Sequence, residues 1–117
     1  MFNNDELMEV EMLFKAPMPP QQSELDALTR LVNIALHPSG QSQLVASFLL
    51  AWWNAAEHGG FDMTDLWGVD KRIADDMLSV FGLIARFHHY PDTVNPSLIE
   101  SFIKIAALWK TEVTRVC

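Results

Sequence analysis

Apolar residues recur every third or fourth position along most of this chain, the spacing that gathers them on one side of an α-helix. Over residues 23–36, Leu25, Leu28, Leu31, Val32, Ala35 and Leu36 share a face, while Asp26, Arg30, Asn33 and His37 collect opposite. The pattern predicts a first helix with Ser23 as N-cap and Asp26 three residues on, as in a capping box. Pro38-Ser39-Gly40 ends it. A second helix is predicted over residues 41–57, with Leu44, Val45, Phe48, Leu49, Trp52, Ala55 and Ala56 on one broad face. Gln43, Ser47, Asn54 and Glu57 mark its polar side, yet Leu50 falls among them and Trp53 lies at their border. Gly59-Gly60 stops the helix, because glycine takes the left-handed C-terminal conformation cheaply.

Asp62-Met63-Thr64-Asp65 carries an N-cap signal for a short turn ending at Gly68, and Asp70 caps a third helix predicted over residues 71–88. Its buried stripe is predicted as Ile73, Met77, Val80, Phe81, Ile84 and Phe87, with Asp75, Asp76, Ser79 and Arg86 in water. Tyr90-Pro91-Asp92 breaks that helix. Asn95 as cap and Pro96 at the first helical position open a last one, in which Leu98, Phe102, Ile105, Ala106, Trp109, Val113 and Val116 share a side. No run after residue 20 has the length and alternation of a strand. The predicted fold is all-α: a compact bundle of four main helices plus a short connecting helical turn.

Residues 1–22 depart from this pattern and are expected to form an N-terminal acidic arm and Pro-rich linker, outside a single helical domain over residues 23–117. Asp5, Glu6, Glu9 and Glu11 face only Lys15. Leu7, Val10 and Phe14 keep helical spacing while Glu9-Val10-Glu11-Met12 alternates, so a helix and an extended arm both fit. Pro17, Pro19 and Pro20 favour extended chain in the linker.

Composition narrows the function classes. Half of the 117 residues are hydrophobic, enough for one real core. The single cysteine, Cys117, allows no intrachain disulfide. The chain opens without a basic leader, and its longest apolar run, over residues 44–53, falls short of the roughly 20 residues that span a bilayer. A cytoplasmic protein without a membrane partner is expected. Net charge is −7 and Lys71-Arg72 is the only adjacent basic pair, so direct nucleic-acid binding is not expected.

Little in the chain points to a reaction. There is no G-x-S-x-G elbow, and Gly59-Gly60 is followed by Asp62 and Asp65, which would repel a phosphate. His58, Asp62 and Asp65 are residue types that could hold a metal at the corner, as a small metal-dependent hydrolase would need. The plainer reading is two capping aspartates and a helix-terminal histidine. His88-His89 with Asp92, and the neighbours Asp75-Asp76, diverge around a helix and are not expected to act together. No catalytic residue, metal or cofactor is expected. Trp52 and Trp109 are read as core, His88 as a half-buried histidine on the apolar face, and Trp67 as a plug for the corner between the second and third helices. Leu50 and Trp53 are left over as a candidate protein-binding surface, covered by the arm or by another chain.

Three strings, Phe48-Leu49-Leu50-Ala51-Trp52-Trp53-Asn54, Gly59-Gly60-Phe61-Asp62-Met63-Thr64-Asp65-Leu66-Trp67 and Ile73-Ala74-Asp75-Asp76-Met77-Leu78, carry a resemblance, to which Tyr90-Pro91-Asp92-Thr93 adds. Over roughly residues 24–93 the chain resembles a bacterial domain-of-unknown-function family of small proteins encoded on proteobacterial plasmids and integrative elements. The resemblance implies a bacterial, cytoplasmic, mobile-element setting and brings no activity. The expected function is a non-enzymatic protein-interaction protein that self-associates as a homo-oligomer. The rival within the binding class is an inhibitor of a host defence system, anti-CRISPR-like, acting by protein binding.

Overall fold

A computed structural model describes residues 19–116, with side chains described for residues 19–109. Residues 1–18 of the arm and linker expected over 1–22, Cys117, and the side chains of Val113 and Val116 lie outside the described residues. In chain order the elements are α1 (Gln22–Leu36), α2 (Gly40–His58), a 3-10 turn (Met63–Gly68), α3 (Lys71–Arg86), a one-turn α4 (Pro91–Val94), a second 3-10 turn (Pro96–Leu98) and α5 (Ile99–Val116). No strand occurs among the described residues, and the all-α bundle of four long helices stands. The one-turn helix at Pro91 is an addition, since a proline at the first helical position is tolerated and opens a turn there as well as ending the one before.

Caps sit where short polar side chains can reach free backbone donors. Helix α1 is capped two residues before Ser23, its sequence signal. Gln21 is its cap, and the Gln21 N–H donates to Glu24 Oε1 at 2.9 Å, whereas Asp26 instead accepts from Gln22 Nε2. Ser39, read as part of a break, caps α2 by accepting from the Ser42 N–H. Asp62 caps the first 3-10 turn and Asn95 the second, each through its side-chain oxygen. Gly59 ends α2 at φ 95°, ψ 162°. That is an extended, positive-φ conformation open essentially to glycine alone, and not the left-handed helical cap its sequence position implied.

Helix α1 is the hub, packing on α3, α2 and α5. Leu28, Leu31 and Ala35 of α1, Val45 and Leu49 of α2, Met77 and Val80 of α3, and Phe102 and Ile105 of α5 are fully buried together. Trp109 ties α5 to the end of α1 by donating Nε1–H to the Ala35 carbonyl at 3.0 Å. Among the described residues, helix α3 has α1 as its one extensive helix partner. Two bidentate pairs pin that antiparallel seam: Arg30 to Asp76, both bonds 2.9 Å, and Arg86 to Glu24.

Two helical readings are corrected. Helix α2 breaks at Asn54, whose φ of −164° and ψ of 89° are extended. Asn54 Oδ1 accepts from the Glu57 N–H at 3.2 Å, so Asn54-Ala55-Ala56-Glu57 restarts the helix as a capping sequence for its last turn. Helix α3 stops at Arg86, two residues short of the predicted end. His88 is therefore exposed, with Nε2 near the Ala85 carbonyl, and is not half-buried on an apolar face.

Candidate protein-binding groove

Helices α2 and α3 both lean on α1, but between them the surface stays open. The gap is an apolar groove of about 390 Å3. Phe48, Ala51 and Trp52 line it from α2, Phe61, Met63 and Leu66 from the corner, and Met77, Leu78, Phe81 and Ile84 from α3. None of the ten carries a charge. The walls are held from behind: Phe61 meets Phe48 edge-on at 5.3 Å between ring centroids, and Trp52 Nε1–H donates to the His89 carbonyl at 3.2 Å. The Asp70 N–H donates to Gln41 Oε1 at 2.6 Å, tying the start of α2 to the end of the corner.

The rim is where apolar surface meets water. Met63 is 63% exposed, Leu78 59% and Phe81 51%, and Trp67 stands out from the corner at 85%. Two predictions are overturned here. Phe81 is predicted in the buried stripe of α3, but its ring lies on the groove side, where no helix among the described residues covers it. Trp67 is predicted to plug the space between helices, but Met63 and Leu66 of the same turn line that space and the indole points outward. A tight 3-10 turn sends neighbouring side chains about a third of a revolution apart, so Leu66 and Trp67 cannot both face inward.

Leu50 and Trp53 lie elsewhere. Leu50 is 3% exposed and belongs to the core, so it offers no free surface to a partner. Trp53, one turn on, lies edge-on to Phe102 of α5 at 5.7 Å and is half-buried. The face read as surplus is thus the α2 face turned to α5. The broad apolar girth of α2 serves three neighbours: α1, α5 and the groove.

The corner residues do not assemble as ligands. His58 stacks its ring on Trp53 at 5.3 Å and 17°. Asp62 Oδ1 accepts from both the N–H and the hydroxyl of Thr64, bonds that hold its carboxyl below the usual range. Among the described residues, no group of three or more His, Cys, Asp and Glu side chains is placed to hold a metal ion, so His58, Asp62 and Asp65 are not brought together as the ligand set of the metal-dependent alternative. Beyond Trp52 the groove gives way to a polar hollow of about 530 Å3 lined by Asn54, Tyr90 and Asp92. No helix among the described residues is long and apolar enough to cross a membrane.

Among the described residues the groove is walled by apolar side chains and offers almost no polar surface to orient a small ligand, which specific small-molecule sites normally have. It matches the buried centre of a protein contact, where charged residues are depleted and aromatics and Met enriched. No curated protein and no solved structure matches the chain. A family model described as "Family of unknown function (DUF7673)" matches residues 25–110, and the chain belongs to that family.

Proposed function

We propose that the chain is a helical protein-interaction domain that self-associates, with the α2–corner–α3 groove as its contact face. The observation that carries this reading is the concentration of three large exposed apolar side chains, Met63, Leu78 and Phe81, on one uncharged groove, with exposed Trp67 in the turn that walls it. Apolar side chains scattered singly over a surface need no partner, whereas a contiguous patch marks an interaction site. The host-defence reading rests on small size, acidity and the mobile-element setting of the resemblance, and it singles out no surface. The groove gives self-association a surface.

Sedimentation equilibrium of the full chain tests the proposal. A concentration-dependent dimer is expected, and Phe81→Glu is expected to leave a folded monomer, because it places a charge in the wall of the contact. A chain that stays monomeric at the highest soluble concentration overturns the reading.

A further inference from the structure

The proposed self-association has a geometry legible in one turn of chain. Trp67 is the most exposed large apolar side chain among the described residues, in a residue type normally much buried. It is also rigidly presented. Asp62 fixes the start of the 3-10 turn through Thr64. At the other end Gly68 lies so close to α2 that an added Cβ would come within 3.0 Å of Leu44 Cδ1. An anchor already fixed in place loses little freedom on binding.

The groove that could receive an indole is walled by the same turn. Its near wall is Met63 and Leu66, from the turn that projects Trp67 outward. Trp67 does not line its own groove, but a second copy's Trp67 meets no such limit. Because knob and hole share one turn, a two-fold axis that seats one indole seats the other in the same motion, and the contact closes as a dimer rather than growing into a fibre. Met63, Trp67, Leu78 and Phe81 together offer on the order of 500 Å2 of apolar surface per copy, given their exposures. Two copies then bury about 1,000 Å2, the lower bound for a specific interface. Ile103 and Leu108 on α5 are the competing exposed pair, but five residues apart on a helix they do not share a stripe.

We infer that Trp67 is the reciprocal anchor of a two-fold homodimer, each indole seated in the apolar groove of the other copy. This rests on the proposed self-association and names the residue that drives it.

The test compares four chains by sedimentation equilibrium, with circular dichroism to confirm the fold: the unaltered chain, Trp67→Ala, Phe81→Glu and Ile103→Ala. Trp67→Ala is expected to weaken the dimer on the order of 30-fold or more, as an interface hot spot does, with Trp67→Phe retaining part of the affinity. Ile103→Ala is expected to leave the dimer unchanged. In 5-fluorotryptophan-labelled protein, the fluorine resonance missing from Trp67→Phe is expected to shift with protein concentration. A dimer lost in Phe81→Glu but unchanged in Trp67→Ala overturns the anchor and leaves the groove as the contact. A dimer untouched by Phe81→Glu, or an unaltered chain that is monomeric while its groove takes up an apolar dye, overturns both and gives the groove to another occupant.

Discussion

Glu24 accepts from both terminal nitrogens of Arg86, at 2.6 and 2.9 Å, while its Oε1 also takes the Gln21 N–H. One carboxylate thus caps the first helix and closes the far end of the α1–α3 seam. The guanidinium bonds hold the Glu24 carboxyl below its ordinary value of 4.5, against the opposing pull of burial.

A carboxyl with a lowered folded-state pKa contributes stability that is complete above its ordinary value and lost as pH falls through the lowered one. Glu24→Gln is therefore expected to lower the Tm by several degrees at neutral pH, for a loss of about 1 kcal/mol in this partly solvated pair. It should also flatten the loss of stability below about pH 4.5. Thermal melts of both proteins from about pH 6 to about pH 3 check this. Equal acid sensitivity in the two would place the titrating groups elsewhere.

Leu50 and Phe81 should behave oppositely. Leu50→Ala removes a buried side chain and is expected to cost about 2–5 kcal/mol with no specific effect on association. Phe81→Ser removes a half-exposed one and is expected to cost the monomer about 1–2 kcal/mol, less than Leu50→Ala, while weakening the dimer. Denaturant melts at low concentration, paired with sedimentation, separate the two effects.

Gly59 and Gly60 are adjacent but not equivalent. Only Gly59 has positive φ, and an added Cβ would meet nothing at either position. Gly59→Ala is expected to cost about 1–3 kcal/mol through backbone strain alone, and Gly60→Ala close to nothing. Similar melting temperatures for the two variants would contradict the backbone assignment.

Self-association should tighten as salt rises. Each copy carries a net charge of −7, and none of that charge lines the groove. Mobile ions therefore screen the repulsion between copies and leave the contact untouched. A dimer that dissociates on raising sodium chloride would indicate a contact made by charge pairs.

The fold was readable because its signals are local. Periodic leucines on α1, the proline after Asn95, and Asp62 before the 3-10 turn each act within a few residues. The groove was not readable, because burial of a stripe depends on what lies opposite. Phe81 and Val80 sit on the same α3 pattern, yet Val80 is buried and Phe81 faces open space. The same blindness assigned Leu50 to the surface, where helical spacing saw polar neighbours and α5 was out of view. The break in α2 did leave a local mark, in Asn54 and Glu57 three residues apart, which reads as a cap only once the helix is known to stop.

The single seam that fastens α3 sets the order in which the molecule loosens. A helix held along one edge can lift as a unit while α1, α2 and α5 remain joined. Its amides should exchange through a sub-global opening, at a free energy below that of complete unfolding. Native-state hydrogen exchange would register this as a foldon of its own, and docking a second molecule across the open side should slow it.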